Sequence, residues 1–246
     1  MQILTTAIIK GGTGKSTTAA ALAQAAVYAD KRRVLLIDLD PQANLSYFTG
    51  ANVTAPGCYE LITGGKDPGE LIQSTAQGID IITANRNLAA IKSSAGSSYR
   101  LKEAIEPILH RYDLIIIDTP PTMGEMTYNA LNACTGLIIP LEADNSSLQG
   151  LYQIVSIVRQ MQRNGASLIF KGQLITRYDN RPKVNRYMLD TIQKAGEAEG
   201  VPFLGTIRPG IVIREAQGFH ESLFEYAPKS KPAADYMAIY EAIKDQ

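Results

Sequence analysis

The sequence predicts an α/β fold in which a mostly parallel, twisted sheet carries helices on both faces. Short apolar runs alternate with helical stretches along the whole chain. Two of these runs, residues 33–40 (RVLLIDLD) and 113–118 (DLIIID), are almost wholly apolar between charged ends, as is typical of strands buried on both faces. Strands separated by helices of this length require right-handed crossovers, which place helices on both sides of the sheet.

Each element is predicted from its own local pattern. Strands are predicted from short β-branched and aliphatic runs at 3–9, 33–40, 79–83, 113–118, 136–141, 168–176 and 201–207. Helices are predicted from longer alanine-rich or amphipathic stretches at 16–29, 98–110, 123–133, 146–163, 184–198 and 231–244. Pro41 and Asn44 open a loop, and Gly64, Gly65 and Pro68 divide residues 58–74 into two short helical pieces.

Length and composition favour one domain, spanning residues 1–246, without repeats or a linker. Lys plus Arg and Asp plus Glu number 24 each, so any nucleic-acid binding requires a local basic patch. Cys58 and Cys134 are isolated, which excludes a disulfide framework or zinc cluster and favours a reducing cytosol. His110 and His220 belong to no metal-ligand pattern and lie far from the motifs described below.

The sequence begins without the basic and apolar regions of a signal peptide. No apolar run approaches the roughly 18 to 20 residues of a membrane-spanning helix. We therefore expect a soluble, cytoplasmic protein.

A glycine-rich segment, KGGTGKST, follows the first predicted strand and precedes the first predicted helix, which is the context that a phosphate-binding loop needs. Glycines let the backbone approach phosphates, and the helix N-terminus adds partial positive charge. Lys15 would reach the β- and γ-phosphates of ATP, and the Ser16 hydroxyl would bind Mg²⁺. The predicted ATP-binding segment comprises Lys10, Gly11, Gly12, Thr13, Gly14, Lys15, Ser16 and Thr17.

Acidic residues end two of the predicted buried strands. Asp38 and Asp40 are two positions apart and therefore point to the same side, toward the crevice where ligands bind in parallel sheets. Asp118 follows an apolar run, where a carboxylate is costly unless it serves a cation, so it is predicted to hold Mg²⁺ as the Walker B acid.

The glycine-rich segment departs from the standard phosphate loop because Ile9 occupies the position of the first glycine. It resembles instead the deviant Walker A motif of the ParA/MinD group of P-loop ATPases, which includes nitrogenase iron protein. The resemblance implies that Lys10 crosses a homodimer interface to touch the partner's nucleotide. The segment DLDPQ, residues 38–42, resembles the group's DxDPQ signature, which implies that Asp40 orients the attacking water and Asp38 supports the Mg²⁺ shell. The implied catalytic set is Lys10, Lys15 and Asp40.

Weaker matches extend this resemblance along nearly the whole chain and point to the partition ATPases. Residues 119–121 (TPP) resemble a segment that senses the γ-phosphate, and residues 176–181 (TRYDNR) resemble a TxxDxR segment. Residues 207–216 are similar to a stretch near the adenine, so Arg208 and Pro209 are implied to bind ATP, although their order is exchanged.

Partition ATPases bind DNA without sequence preference as ATP dimers, which requires cations aimed at phosphates. The resemblance implies a partner of the ParB kind and a nucleoid-associated location, with no stable membrane association. The DNA-contacting candidates are Arg181, Lys183, Arg186, Arg208, Arg214, Lys229 and Lys231.

Several alternatives stay open at this point. A MinD-like spatial-positioning ATPase, acting on another cargo or the membrane, would need an amphipathic C-terminal anchor, and residues 236–246 carry few cations. A nitrogenase-type reductase would need cluster-binding cysteines. A dethiobiotin synthetase or a tyrosine autokinase fits the Lys10 and DLDPQ signatures less well, and a nucleotide-gated scaffold would need no turnover.

Overall fold

The computed structural model describes residues 1–245 and contains one eight-stranded sheet. The sheet order is β3-β4-β2-β5-β1-β6-β7-β8, and every neighbouring pair is parallel except β3 with β4. The predicted mostly parallel sheet is therefore confirmed. Its strands are β1 Gln2–Thr6, β2 Val34–Asp38, β3 Gln73–Ser74, β4 Asp80–Ile82, β5 Leu114–Asp118, β6 Gly136–Leu141, β7 Ile169–Ile175 and β8 Phe203–Thr206.

Helices cover both faces of the sheet, and each face has its own apolar core. One core joins the sheet to α3–α7, and the other joins it to α1, α9 and α10. The helices are α1 Lys15–Asp30, α2 Asn44–Phe48, α3 Cys58–Thr63, α4 Arg100–Ile105, α5 Glu125–Ala133, α6 Asn145–Arg163, α7 Lys183–Ala198, α8 Ile211–Gly218, α9 Leu223–Tyr226 and α10 Lys231–Ile243.

The structure differs from the sequence-based expectations at several short elements. The helix predicted at 98–110 is a 3₁₀ turn, α4 and a second 3₁₀ segment, Glu106–Arg111, because Pro107 has no N–H for an α-helical bond. The loop opened by Pro41 continues directly into α2 at Asn44. The antiparallel edge strand β3 and the helices α8 and α9 were not predicted, because segments this short carry little periodicity.

The strand order brings the predicted motifs to one edge of the sheet. β1, β5 and β2 are neighbours, and their carboxyl ends align Thr6 with Asp118 and Asp118 with Asp38. The glycine-rich loop leaves β1 at this edge, and β6 and β7 end beside it. Loops that are far apart in the chain therefore meet around the carboxyl ends of five strands.

Candidate nucleotide-binding site

The glycine-rich loop borders a cavity of about 690 Å³ at the carboxyl edge of the sheet. Gly14 has a φ of 85°, and a Cβ atom placed there would lie 3.3 Å from Cγ2 of Thr176. A side chain at this position would therefore be both strained and crowded. The loop residues Gly11, Gly12, Gly14, Lys15, Ser16 and Thr17 line the cavity, and α1 begins at Lys15, so its unpaired N-terminal N–H groups lie at the cavity wall.

Lys15 lies deep in the cradle formed by this loop. Its side chain is buried, and its Nζ donates a hydrogen bond to the carbonyl oxygen of Lys10 at 2.9 Å. Burial lowers the pKa of Lys15, and the charges of Asp118 and Asp40 offset part of that effect. A cation in this position, which adjoins two carboxylates and a loop of backbone N–H groups, suits a bound phosphate.

Two fully buried carboxylates face each other across neighbouring strands. Asp38 ends β2 and Asp118 ends β5, and the two residues are paired in register. Burial and the charge of Asp38 together raise the pKa of Asp118 to about 8, although Ser16 and Lys15 oppose the rise. Burial likewise raises the pKa of Asp38 to about 6, although hydrogen bonds from Ser46 oppose the rise. Ionising both carboxyl groups is therefore unfavourable unless a cation lies beside them.

The surroundings of Asp118 fit a magnesium ion. Its Oδ1 accepts a hydrogen bond from the Thr6 hydroxyl at 3.2 Å, but its buried Oδ2 has no hydrogen-bond partner among residues 1–245. No group of three or more His, Cys, Asp or Glu side chains in that range could hold a metal ion alone. Mg²⁺ commonly binds one or two protein oxygens together with nucleotide phosphates, and Ser16 and Asp118 match that donor set.

Asp38 and Asp40 have different surroundings. Both oxygens of Asp38 already accept hydrogen bonds: Oδ1 from the N–H of Asp40 at 3.1 Å, and Oδ2 from the N–H and hydroxyl of Ser46 at 2.9 and 2.7 Å. Asp40 lines the cavity, and its Oδ1 accepts a hydrogen bond from the N–H of Gln42 at 3.0 Å. The structure therefore gives Asp38 a clear part in holding the loop, while its role as a magnesium ligand stays a prediction.

Lys10 lies apart from the phosphate cradle. Its ammonium contacts Asp144 at 2.5 Å, Glu142 at 3.2 Å and the Ser147 hydroxyl at 3.1 Å. Burial raises the pKa of Asp144, but hydrogen bonds from Lys10, the Ser147 N–H and Ser146 outweigh that effect and leave the pKa at about 2. Lys10 is therefore held by acids at the start of α6 and does not line the cavity of its own chain.

The far part of the cavity has a mixed apolar and polar lining. Arg208 and Pro209, which are predicted to bind ATP, line this part, and the Arg208 guanidinium and N–H are both bonded to Asp235. Their role in ATP binding stays a prediction. Sequence reasoning missed several further lining residues because they lie on loops or on helices that it did not predict. These are Asn44, Phe48, Arg177, Ile211, Ile213 and Gln217.

The sequence pattern that identified Asp38 and Asp40, charged residues at the end of a buried strand, also occurs after β6 and β7. Glu142 and Asp144 follow the buried strand β6 at the same spacing of two residues, and the structure brings both to Lys10. Arg177 follows β7 in the same way and contacts Glu142.

The predicted DNA-contacting residues are all exposed and lie near the carboxyl ends of β7 and β8. Arg181 is paired with Asp179 and Arg208 with Asp235. The Arg186 guanidinium donates to the carbonyl oxygens of Asn180 and Arg181. Arg214 lines the cavity, and Lys183, Lys229 and Lys231 lie at or just before the starts of α7 and α10. Their role in DNA binding stays a prediction.

None of the helices within residues 1–245 has the length and apolar character required to cross a membrane.

The parallel sheet, the glycine-rich loop at the start of α1 and the acids at the ends of β2 and β5 define a P-loop nucleotide-binding protein. A family model described as an AAA domain matches residues 1–170. The chromosome-partitioning ATPase Soj of Thermus thermophilus is 32% identical over 237 residues, which cover 95% of this chain and 92% of Soj. The chain belongs to the ParA/Soj family of P-loop ATPases.

Solved structures share the fold over nearly the whole chain. Apo McdA of Cyanothece superposes with a TM-score of 0.87 and 27% identity, covering 98% of this chain and 99% of McdA. A cobyrinic acid a,c-diamide synthase from Mycobacterium smegmatis, with bound ADP and magnesium, superposes with a TM-score of 0.81 and 29% identity, covering 98% and 92% of the two chains. These neighbours have different names, so the fold alone does not select an activity.

Proposed function

We propose that this chain is an ATP-dependent DNA-partition ATPase. Two copies close around ATP and Mg²⁺, the resulting sandwich dimer binds DNA without sequence preference, and hydrolysis of ATP to ADP and phosphate returns the protein to a form that releases DNA. The family relationship supports the general class, and the arrangement of cations around the cavity supports the dimer.

The observation that carries the proposal is the separation of two lysines on one phosphate loop. Lys15 occupies the cradle, whereas the ammonium of Lys10 lies outside it and is bonded to Glu142 and Asp144. The Lys10 side chain is only 18% exposed. Lys10 lies at the rim of the site and does not contribute its ammonium to the phosphate cradle of its own chain. It is therefore suited to contact a nucleotide that a second copy holds. Lys10 must exchange its acidic partners for phosphate when the dimer forms.

Within one protomer, the proposed roles follow from position. Lys15 neutralises charge on the phosphates, and Asp40, which borders the cavity, orients the attacking water. Ser16 and Asp118 hold the magnesium ion, and Asp38 positions the loop that carries Asp40. Magnesium supplies charge neutralisation at the phosphates when it is bound. Arg208 and Pro209 lie where the nucleobase is proposed to bind.

DNA is proposed to bind at the exposed cations near the ends of β7 and β8, which suit phosphate contacts and carry no base-reading pattern. A centromere-binding protein of the ParB kind is proposed to stimulate turnover, and the nucleoid is the proposed location of the ATP dimer.

The test measures dimerisation by sedimentation, and DNA binding in parallel, with ATP, with ADP and without nucleotide. Wild type should dimerise and bind DNA only with ATP. Lys10→Ala should bind ATP as a monomer and lose DNA binding, whereas Lys102→Ala, at an exposed lysine on α4, should behave as wild type.

Asp40→Ala distinguishes a protein that uses ATP hydrolysis to release DNA from one that needs only ATP binding. It should dimerise and bind DNA with ATP but fail to release DNA over time, because turnover is blocked. A wild-type protein that stays monomeric with saturating ATP and magnesium, or a Lys10→Ala variant that dimerises normally, would refute the proposal.

A further inference from the structure

Arg177 adopts an unusual backbone conformation beside the phosphate loop. Its φ is 51°, in the left-handed region that non-glycine residues seldom occupy. The chain is fixed on both sides of it: the Thr176 hydroxyl donates to the carbonyl oxygen of Thr13 at 2.9 Å, and the Tyr178 N–H donates to Ile207 at 2.8 Å. Strained residues of this kind concentrate at ligand-binding sites, where the surrounding structure imposes them.

The Arg177 side chain points at the same loop. Its guanidinium donates to the carbonyl oxygen of Gly12 and forms an ion pair with Oε1 of Glu142 at 2.6 Å. The side chain is 57% exposed and lines the cavity, so a ligand can reach it.

Arg177 and Lys10 share one acidic partner. Oε1 of Glu142 contacts Arg177, and Oε2 of the same carboxylate contacts Lys10, which also contacts Asp144. Two cations and two carboxylates therefore balance at this rim. A nucleoside triphosphate adds several negative charges next to them, and it competes with Glu142 for the guanidinium.

The position of Arg177 indicates which phosphate it would meet. Arg177 contacts Gly12, and a Cβ atom on the neighbouring Gly11 would lie 3.9 Å from Cβ of Pro121, in the segment that follows Asp118. Because Asp118 is proposed to hold the magnesium ion beside the phosphates, this part of the loop is where the terminal phosphate is expected.

We propose that Arg177 is a phosphate-binding residue that contacts the terminal phosphate of a nucleoside triphosphate, and that Glu142 holds it in the nucleotide-free protein. This inference rests on the proposed function. On binding, the guanidinium exchanges Glu142 and the Gly12 carbonyl for phosphate oxygens.

The test measures the affinity of the protein with magnesium for a non-hydrolysable ATP analogue and for ADP by calorimetry. Arg177→Gln should weaken binding of the analogue about tenfold or more and leave ADP within about threefold, since a hydrogen-bonded charge contact of this kind is lost only for the triphosphate. Arg177→Lys should restore part of the loss. Arg33→Gln is the matched control, because Arg33 is an exposed, ion-paired arginine just before β2, at the opposite edge of the sheet.

Two further variants guard against a purely structural effect. Arg177→Gly removes the guanidinium while allowing the positive φ, so it should fold at least as well as Arg177→Gln and show the same selective loss. Glu142→Gln should keep or increase affinity for the analogue, because it releases Arg177. Equal weakening of both nucleotides, no change of either, or a loss of analogue binding in Glu142→Gln would overturn the inference.

The outcome separates this inference from the function on which it rests. If the wild-type protein binds no ATP analogue, the proposed function fails. If the wild type binds and dimerises while Arg177→Gln keeps the wild-type ratio of affinities, only the role of Arg177 fails.

Discussion

At the scale of single residues, the site is defined by buried charges without their full complement of partners. Asp118 is completely buried, with one oxygen unpaired among the described residues, and Asp38 faces it in register. Burying carboxylates this way costs stability unless a cation or proton accompanies them. In the nucleotide-free protein the protonated forms of Asp38 and Asp118 are therefore favoured, which is why the pKa values of both groups are raised.

This arrangement predicts a pH dependence of stability. The pKa of Asp118 is about 8 in the folded protein and about 4 when unfolded. Between these values the unfolded chain releases the proton and the folded chain keeps it, so the free energy of unfolding should fall as pH rises from about 4 to about 8. Asp118→Asn cannot titrate, so thermal melts without nucleotide or magnesium should show a smaller decline than wild type over this range.

Asp113→Asn is a suitable control for that measurement. Asp113 is partly exposed just before the same strand, and hydrogen bonds from Arg33 lower its pKa to about 2. Its contribution is therefore lost only as pH falls from about 4 toward 2 and is constant above that range. Equal slopes for wild type and Asp118→Asn between pH 5 and 8 would contradict the explanation given for Asp118.

Some residues of the site could be predicted from the sequence and others could not, for a physical reason. The phosphate loop, Asp38 and Asp118 are each marked by local context, since a buried strand ending in a charge can be recognised without its neighbours. Arg177 and Glu142 reach the loop because β6 lies next to β1 and β7 lies next to β6, and that order depends on packing between distant segments. The local pattern around Arg177 is an ordinary strand end, so the left-handed backbone and its contact with Gly12 became visible only in the structure.

At the scale of elements, one serine of α2 links this helix to the ends of two strands. The Ser46 N–H and hydroxyl bind Asp38 at the end of β2, and the Ser46 oxygen accepts a hydrogen bond from the Ala84 N–H, just after β4, at 3.0 Å. Asn44–Phe48 is therefore fixed beside the cavity even though a helix this short has little stability of its own.

Removing this hydroxyl should loosen the element and weaken the site. Ser46→Ala removes one of the two donors to Oδ2 of Asp38 and leaves the Ala84 N–H without its partner, so it should lower the free energy of unfolding by about 1–3 kcal/mol in denaturant titrations. Ser156→Ala, at an exposed position on α6, should change it by less than about 0.5 kcal/mol. If both variants match wild type, Ser46 does not hold α2 as described.

At the scale of the whole molecule, cations and acids balance in number but differ in how they are paired. Arg181 is ion-paired with Asp179, whereas no carboxylate among residues 1–245 lies within ion-pair distance of Lys183, two positions further on. The same holds for Lys229 and Lys231 near the start of α10. Among the described residues of this set, Arg186 and Arg214 also lack a carboxylate partner, so local charge at this edge of the sheet comes from these two arginines and the three lysines.

DNA binding by the ATP form should depend on these unpaired lysines more than on the paired arginines. Neutralising a cation that contacts a phosphate reduces the slope of log affinity against log salt by about 0.9, so Lys183→Gln and Lys231→Gln should each lower the slope and weaken binding to any DNA sequence alike. Arg181→Gln should have a smaller effect, because Asp179 already cancels its charge. Binding curves over a range of salt, with Lys102→Gln as the control, measure both quantities. If Arg181→Gln changes the salt slope as much as Lys183→Gln does, DNA phosphate displaces Asp179 from Arg181 on binding, and ion pairing in the free protein does not decide which cations contact DNA. If neither variant changes the salt slope, DNA binds elsewhere on the protein.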